Sequence, residues 1–262
     1  MTDTGAAFKD HFSGHADAYA RYRPDYPAAL FAWLAEAAPA RERAWDCATG
    51  NGQAALALAG HFREVVATDA SERQVRNAFA HPRVRYHVAP AERSGLADAS
   101  VDLVTVAQAV HWFDLPAFYA EADRVLRPGG LLAVWAYALF QPSPPSPEID
   151  RVVQKLYREI VGPYWPPDRG MIEKGYAGVE LPFERVEPPP FWMEKRWSPD
   201  DVLGYLRTWS ATRGYLEANG HDPVALVAGE LAAAWGSGER TVRWPLILKV
   251  GRKTAAGAGA SA

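Results

Sequence analysis

The sequence predicts an α/β fold in which a doubly wound parallel sheet carries helices on both faces. Between residues 24 and 130, short apolar runs alternate with stretches of helical length and pattern. Strands that alternate with helices form parallel sheets through right-handed crossovers, so helices cover both faces. The length of 262 residues suits one large domain of this kind, or one with insertions.

The strands and helices of the first half follow one another in a regular order. Five segments predict strands, at residues 44–47, 64–68, 84–89, 101–106 and 131–137, and β-branched or aliphatic residues dominate the second, fourth and fifth of them. Helices are predicted before and between them, at residues 30–38, 53–62, 71–80 and 114–127. Ser71 is a helix-capping residue, and Pro128-Gly129-Gly130 is expected to stop the last of these helices.

The second half of the chain predicts an insertion, because the regular alternation of strand and helix patterns ends after residue 140. A proline-rich linker spans residues 141–147, and a helical pattern follows it at residues 148–161. Ser198-Pro199-Asp200-Asp201 is a strong helix start, and helical patterns continue from there to residue 235. Residues 241–250 partly alternate, which predicts a final strand that returns to the sheet.

Composition and charge argue against several classes of protein. The net charge of −3 and the pI near 6.2 leave no strong positive field to collect nucleic acid or anionic lipid. Cys47 is the single cysteine, and His11, His15 and His87 lack metal-ligand spacing. The N-terminus lacks a signal-peptide core, and no apolar run reaches the roughly 20 residues of a membrane span. We expect a cytoplasmic protein without a metal, a nucleic-acid partner or a membrane partner.

A glycine-bearing turn lies between the first predicted strand and the helix after it. It carries Asp46, Ala48, Gly50 and Gly52. Glycine lets the backbone approach a ligand without a Cβ in the way, and the helix N-terminus offers unsatisfied N–H groups. Ligands of open α/β sheets bind outside the carboxyl ends of the strands, which is where this turn stands. Because many α/β turns need glycine for geometry alone, the turn leaves that alternative open.

Asp69 ends the second predicted strand, roughly 20 residues beyond the turn, where a carboxylate can accept hydrogen bonds from both ribose hydroxyls. The alternative is a helix cap or a surface carboxylate, since Ser71 is close in sequence. The turn and Asp69 together favour an adenosine-type ligand, either a dinucleotide or S-adenosylmethionine. Asp46 favours the second, because a carboxylate there repels a pyrophosphate and attracts a sulfonium or ammonium group.

The motifs, taken in order, resemble a class I S-adenosylmethionine-dependent methyltransferase. The motifs that carry the resemblance lie at residues 22–27 (YRPDYP), 46–52 (DCATGNG), 69–71 (DAS), 91–92 (AE), 101–104 (VDLV), 108–113 (QAVHWF) and 124–130 (RVLRPGG). The resemblance covers residues 10–140, and the subgroup is similar to the trans-aconitate methyltransferase-like small-molecule enzymes. It implies a Rossmann-like, mostly parallel, seven-stranded sheet with one antiparallel strand near the C-terminus. It also implies S-adenosyl-L-methionine as the cofactor.

The resemblance extends to the residues that would hold the cofactor. Asp69 would bind the ribose, and the third-strand end would contact the adenine, while residues 19–27 would fold over the cofactor as a lid. The full predicted set is Tyr19, Arg23, Asp46, Ala48, Gly50, Gly52, Asp69, Ala70, Ala91, Glu92 and Gln108. The family usually has glycine where this chain has Ala48. Because alanine disfavours a positive φ, we expect a negative φ at that residue, the alternative being weakened cofactor binding.

The acceptor site is predicted from residues that end the fourth and fifth strands and from the second half of the chain. His111 is the candidate general base, the alternative being a histidine that is structural or only lines the pocket. Arg21 or Arg23 could hold the cofactor carboxylate or an anionic substrate. The predicted substrate contacts are His111, Trp112, Trp135, Tyr137, Trp209 and Ser210. Trp165, Trp197 and Arg213 could complete an aromatic pocket, or they could pack in the core or lie at the surface.

The sequence therefore predicts a methyltransferase that acts on a small-molecule acceptor at an oxygen or nitrogen atom, with a carboxylate as one option. A non-catalytic S-adenosylmethionine-binding module is the alternative, and Ala48 favours it slightly. Asp46 argues against a nicotinamide-dependent oxidoreductase, and the acidic pI argues against a nucleic-acid methyltransferase. A monomer and a homodimer both stay open.

The expected organisation is one methyltransferase domain over residues 1–252. Within it we expect an N-terminal lid and helix at 1–40, a cofactor-binding core at 41–140, a cap forming the acceptor site at 141–240 and a final strand at 241–252. Residues 253–262 are rich in alanine and glycine, which predicts a disordered tail.

Overall fold

The computed structural model describes residues 22–254, and within them the chain forms two compact units. The first, called the sheet unit, comprises residues 26–138, 170–192 and 245–254. The second, called the helical unit, comprises residues 22–25, Leu139–Arg169 and Met193–Trp244. Of the predicted tail at 253–262, residues 255–262 lie outside the described residues, whereas Lys253 exchanges backbone hydrogen bonds with Gly129 and Gly130. His11, His15, Tyr19 and Arg21 also lie outside the described residues. The predicted division into lid, core and cap stays a prediction.

A twisted sheet organises the sheet unit. Its parallel strands are β1 (Arg43–Cys47), β2 (Glu64–Asp69), β3 (Val84–Val88), β4 (Val101–Ala107) and β5 (Leu126–Tyr137). Strand β9 (Arg240–Arg252) is antiparallel to β5, and the short β7 (Glu184–Val186) pairs with the far edge of β9. The order β3-β2-β1-β4-β5-β9-β7 therefore confirms the mostly parallel, Rossmann-like fold with one antiparallel strand near the C-terminus.

Helices cover both faces of this sheet and bury two apolar layers. The helices of the sheet unit are α1 (Ala28–Ala37), α2 (Gln53–Ala59), α3 (Glu72–Arg76) and α4 (Leu115–Val125). One layer joins α1 and α2 to Leu103 and Trp135, and the other joins α4 to Trp45 and Val104. Neighbouring residues of one strand, such as Val104 and Leu103, contribute to opposite layers, as the alternation of a strand requires.

The helix boundaries follow local chemistry. The Ser71 hydroxyl caps α3 by accepting from the Gln74 amide at 3.3 Å, and Asp114 caps α4 through the Ala117 amide at 3.3 Å. The helix predicted at 114–127 ends at Val125, two residues earlier than expected, and Pro128-Gly129-Gly130 lies within β5 instead of stopping the helix. Gly129 adopts a φ of +80°, which only glycine takes readily, and the pairing of β5 with β4 shifts register between Leu126 and Leu131.

The helical unit carries the rest of the chain. Its helices are α5 (Pro147–Gln154), α7 (Pro199–Arg207), α8 (Ser210–Asn219) and α9 (Ala225–Trp235), with a π-helical segment at Lys155–Ile160 and a 3₁₀ turn at Gly162–Tyr164. The short helix α6 (Arg169–Glu173) begins at its border with the sheet unit. Strands β6 (Gln141–Ser143) and β8 (Trp192–Trp197) pair with β9. The capping box between Ser198 and Asp201 starts α7 at the predicted place.

An aromatic cluster forms the core of the helical unit. Trp197, Tyr205, Trp209 and Trp244 are all buried, and their rings meet edge-on or tilted, for example at 5.9 Å between Tyr205 and Trp209. Trp165 joins the cluster 5.5 Å from Trp209. Within this unit the aromatic side chains of the second half pack against one another, which is the core alternative that the sequence left open.

Candidate active site

The glycine-bearing turn at the carboxyl end of β1 has an alternating left-handed backbone. Ala48, Gly50 and Gly52 have φ values of +54°, +58° and +91°. The expectation of a negative φ at Ala48 is therefore wrong. The Thr49 amide donates to the Thr68 carbonyl of β2 at 2.9 Å, and this bond fixes the path of the turn despite the strain at alanine. A left-handed conformation at a non-glycine residue costs about 1–2 kcal/mol, which is typical of backbone held in place for a function.

The two glycines of the turn are needed for different reasons. A Cβ at Gly52 would collide with the hydroxyl end of Tyr86, whose ring fills the space behind the turn. A Cβ at Gly50 would meet no atom of residues 22–254 within 4 Å, so this side of the turn is open within that range. Gly52 therefore permits close packing inside the protein, whereas Gly50 leaves room for a ligand beside the backbone.

Asp46, the last-but-one residue of β1, is almost completely buried at 1% exposure. Its carboxylate accepts hydrogen bonds from the Thr49 hydroxyl at 2.5 Å and from the Thr105 hydroxyl at 2.8 Å. Burial raises the pKa of Asp46 to about 6, with a smaller increase from the negative charge of Asp69, while the two hydroxyls oppose the rise. Asp46 therefore places a buried negative charge next to the turn at neutral pH.

Asp69 joins the turn to the end of β2. One carboxylate oxygen accepts from the Gly50 amide at 2.9 Å and the other from the Ser71 amide at 2.8 Å. Asp69 is not the cap of α3, because the Ser71 hydroxyl performs that role. These backbone bonds hold the carboxylate at the end of β2, where an ionised carboxylate acts only as a hydrogen-bond acceptor.

The residues after β3 are braced by α4. Ala91 is buried, and the carboxylate of Glu92 accepts from the Asp114 amide at 3.0 Å, which is the N-cap position of α4. Glu121 of α4 accepts from the backbone amide and hydroxyl of Ser94, at 2.7 and 2.5 Å. The predicted adenine contacts Ala91 and Glu92 thus stand on a rigid loop, while Ala70 is exposed beside Asp69.

Gln108 connects the carboxyl ends of β4 and β5. Its backbone amide donates to the Trp135 carbonyl at 2.8 Å, and its side-chain amide donates to the Tyr137 carbonyl at 3.4 Å. Gln108 has a φ of +59°, a second strained non-glycine residue at this edge of the sheet. Trp135 is fully buried against Tyr26, and Tyr137 is nearly so. The acceptor role of these two aromatic residues stays a prediction.

His111 and Trp112 lie in a 3₁₀ turn, Val110–Trp112, directly after β4. The Nδ1 atom of His111 is 3.2 Å from the hydroxyl oxygen of Tyr176, which is completely buried and itself has a φ of +55°. Trp112 stacks obliquely on the imidazole at 4.5 Å and is 45% exposed. The Tyr176 hydroxyl therefore orients the titratable imidazole of His111, and the exposed indole of Trp112 lies beside it. This arrangement suits the removal of a proton from an acceptor molecule that has an aromatic or apolar part.

Several predicted residues belong to the helical unit or lie outside the described part. Trp209 is buried in the aromatic cluster, Ser210 begins α8, and the Arg23 guanidinium lies 5.6 Å above the Tyr205 ring. Tyr19 lies outside residues 22–254. The structure therefore brings one set of the predicted residues together at the carboxyl edge of the parallel strands: Asp46, Ala48, Gly50, Gly52, Asp69, Gln108, His111 and Trp112.

Three residues of this edge were missed by the sequence analysis. Thr49 and Thr105 hold the carboxylate of Asp46, and Tyr176 holds His111. Thr105 carried a detectable signal, because it interrupts an aliphatic strand at the position in register with Asp46. Tyr176 carried none, since it lies 65 residues beyond His111 in a loop without a motif.

Among residues 22–254, no cluster of three or more His, Cys, Asp or Glu side chains could hold a metal ion. Over the same range, the helices are all too short or too polar to cross a lipid bilayer.

Known proteins resemble this chain over most of its length. Residues 45–134 match the family described as a methyltransferase domain. A Dictyostelium discoideum protein named as a methyltransferase is 33% identical over 234 residues, which make up 88% of this chain and 89% of that protein. A Schizosaccharomyces pombe protein also named as a methyltransferase is 32% identical over 79% of this chain and 80% of its own length.

A solved structure shares the fold. A protein from Anaeromyxobacter dehalogenans, whose structure was determined as that of a type II methyltransferase, is 48% identical and superposes with a TM-score of 0.83. The match covers 89% of this chain and 99% of that chain. These similarities confirm the predicted enzyme class, fold and cofactor, whereas they leave the trans-aconitate-like subgroup untested. The chain therefore belongs to the class I S-adenosylmethionine-dependent methyltransferases.

Proposed function

We propose that this methyltransferase acts on a small-molecule acceptor at an oxygen or nitrogen atom, with His111 at the reacting atoms. The observation that carries the proposal is the 3.2 Å contact between His111 and Tyr176. His111 follows β4, which lies next to β1 and its glycine-bearing turn in the sheet. A titratable ring at this place can take a proton from a hydroxyl or amine acceptor. The trans-aconitate-like alternative, in which the acceptor is a carboxylate, needs no such base.

The cofactor assignment follows the charges and openings at the turn. Gly50 supplies an open approach to the backbone, the Asp69 carboxylate bonded to the Gly50 amide is assigned to the ribose hydroxyls, and Asp46 supplies a negative charge for the ammonium and sulfonium groups. Ala70, Ala91 and Glu92 are assigned to the adenosine end, and Gln108 to the methionine end. When bound, S-adenosylmethionine supplies a methyl group activated by its positively charged sulfur.

His111 can act as a base only in one tautomer. The hydrogen must be on Nδ1, which then donates to the Tyr176 oxygen, so that Nε2 carries the lone pair for the acceptor's proton. Tyr176 is a positioning residue in this scheme, since it fixes the ring and the tautomer without touching the acceptor. Trp112 would cover an apolar or planar part of the acceptor. Holding the acceptor in line with the activated methyl group supplies most of the remaining rate acceleration.

An acceptor panel tests the proposal. The purified protein is incubated with methyl-labelled S-adenosylmethionine and with small carboxylates, phenols or alcohols, and amines, and the transfer of label is measured for each class. We expect turnover of a hydroxyl or amine acceptor that falls in the His111→Ala variant. Turnover of carboxylates alone, undiminished in that variant, would instead favour the trans-aconitate-like alternative. Binding of the cofactor without labelling of an acceptor from any class would favour a non-catalytic binding module.

A further inference from the structure

Trp135 carries a buried hydrogen-bond donor that has no partner within the described part of the chain. The side chain is completely buried in β5, and among residues 22–254 its indole nitrogen has no hydrogen-bond acceptor. The other fully buried tryptophans are satisfied: Trp45 donates to the Thr68 hydroxyl, Trp235 to the Gly238 carbonyl and Trp244 to the Tyr205 hydroxyl. A buried donor without a partner costs about 1–3 kcal/mol, so its persistence calls for a reason.

The register of the sheet places this donor close to the cofactor edge. Asp46 pairs with Thr105, Thr105 with Ala133, and Ala107 with Trp135. Residues two apart in a strand share a face, so Trp135 lies on the same face as Asp46 and Thr105, one step nearer the carboxyl edge. Ala107, which has a small side chain, is the neighbour of Trp135 on β4. The backbone amide of Gln108 donates to the carbonyl oxygen of Trp135 at 2.8 Å.

The order of the strands decides which part of the cofactor reaches this point. With the ribose at Asp69 on β2 and the turn on β1, the remaining amino-acid end extends toward β4 and β5, because the order is β2-β1-β4-β5. That end bears an ammonium and a carboxylate. Asp46 attracts the ammonium, whereas an indole N–H is a donor only and requires an acceptor oxygen. We propose that the Trp135 indole N–H donates to the α-carboxylate of S-adenosylmethionine, an inference that rests on the proposed function.

A packing role is the competing explanation. The Trp135 ring meets Tyr26 edge-on at 5.5 Å and Phe31 at 6.3 Å, so the indole also stabilises the core. Packing depends on the shape of the ring and affects every ligand equally. A bond to the carboxylate depends on the N–H and affects only ligands that carry that group. The two roles therefore separate when the ligand is shortened.

The test compares two ligands in calorimetry on the full-length protein. S-adenosylhomocysteine has the amino-acid end, whereas 5′-methylthioadenosine keeps the adenosine and the sulfur and lacks that end. We expect Trp135→Phe to weaken S-adenosylhomocysteine about tenfold, the effect of a hydrogen bond to a charged group, and 5′-methylthioadenosine less than about twofold. Trp235→Phe is the matched control, because it shortens a fully buried tryptophan whose N–H is already satisfied. It should change neither affinity.

Equal weakening of both ligands, or of neither, would overturn the assignment. If Trp135→Phe does not fold, benzothienylalanine at position 135 keeps the bicyclic shape and replaces only the N–H, and the same selective loss is expected. If the wild-type protein fails to bind S-adenosylhomocysteine, the proposed function fails. If it binds and the substitution is without effect, only the Trp135 assignment fails.

Discussion

The Thr105 hydroxyl donates to the Asp46 carboxylate at 2.8 Å and so ties the end of β1 to the neighbouring strand β4. The Thr49 hydroxyl binds the other carboxylate oxygen from within the turn. Asp46 therefore holds the turn and the two central strands in one arrangement. The same two bonds offset part of the free energy that burial of its charge requires.

Asp46 should make cofactor binding depend on pH. Its pKa of about 6 means that ionisation rises from about a tenth at pH 5 to about nine-tenths at pH 7. Because the positively charged cofactor favours the ionised form, we expect the affinity for S-adenosylmethionine to rise about tenfold between pH 5 and pH 7. Calorimetry at several pH values measures this, and Asp46→Asn should flatten the profile. An equally steep profile in that variant would assign the effect to another group.

The same pKa predicts how Asp46 affects folding. The pKa is raised from the ordinary 3.8, so the folded state holds the proton more tightly than the unfolded state. The stabilising contribution of the protonated form is then present below pH 3.8 and is lost as the pH rises toward 6, by on the order of 3 kcal/mol. Relative to wild type, Asp46→Asn should therefore gain stability as the pH rises from 4 to 7 in denaturant titrations. A constant difference across that range would contradict the pKa.

Asp69→Ala should weaken S-adenosylhomocysteine by about 1–3 kcal/mol, because two ribose hydroxyls lose their acceptor. The variant also removes the bonds to the Gly50 and Ser71 amides, so its folding stability must be measured alongside binding. Asp69→Asn is the milder comparison, since the side-chain carbonyl oxygen of asparagine can still accept a hydrogen bond. Unchanged affinity in the alanine variant would show that the ribose lies elsewhere.

Ala48 and Tyr176 show where sequence reasoning reached its limit. The succession of strands and helices along the chain and the positions of the turn and Asp69 were predictable, because apolar periodicity and glycine position are local signals. The φ of Ala48 was not predictable, since it depends on the backbone hydrogen bond from Thr49 to Thr68 of β2. The role of Tyr176 was not predictable either, because only the folded chain brings it to His111. Strands β6 and β7 were missed because each has three residues, and β8 was missed because three of its six residues are charged. All three pair with β9.

Ala48→Gly should stabilise the protein slightly. Relief of the left-handed strain is worth about 1–2 kcal/mol, and the greater freedom of glycine in the unfolded chain offsets about 0.4–1 kcal/mol of it. We expect a net gain between zero and about 1.6 kcal/mol in the free energy of unfolding. Ala44→Gly, at a buried β1 residue outside the left-handed set, is the control and should destabilise. A loss of stability in Ala48→Gly would mean that the alanine methyl makes a contact that outweighs its strain.

The two glycines of the turn should respond differently to alanine. Both variants meet an unfavourable positive φ, but only Gly52→Ala also collides with Tyr86, and such overpacking costs about 1–3 kcal/mol. Gly52→Ala should therefore lose more stability than Gly50→Ala in thermal unfolding. Adding Tyr86→Phe should restore part of the loss, because it removes the colliding oxygen. Purely additive effects of the two substitutions would show that the collision is relieved elsewhere.

His111 and Tyr176 should differ in how they affect turnover once an acceptor is identified. His111→Ala should lower kcat about 10²-fold or more on a hydroxyl or amine acceptor, the usual loss of a general base. Tyr176→Phe keeps the base but frees its tautomer, so kcat should fall less and the pH profile of kcat should shift. Both variants should bind S-adenosylhomocysteine within about twofold of wild type, which separates chemistry from cofactor binding. His87→Ala, at an exposed position of β3, is the control and should retain full activity. If Tyr176→Phe changes kcat with no shift in the pH profile, Tyr176 supports the loop rather than the imidazole, and the tautomer assignment fails.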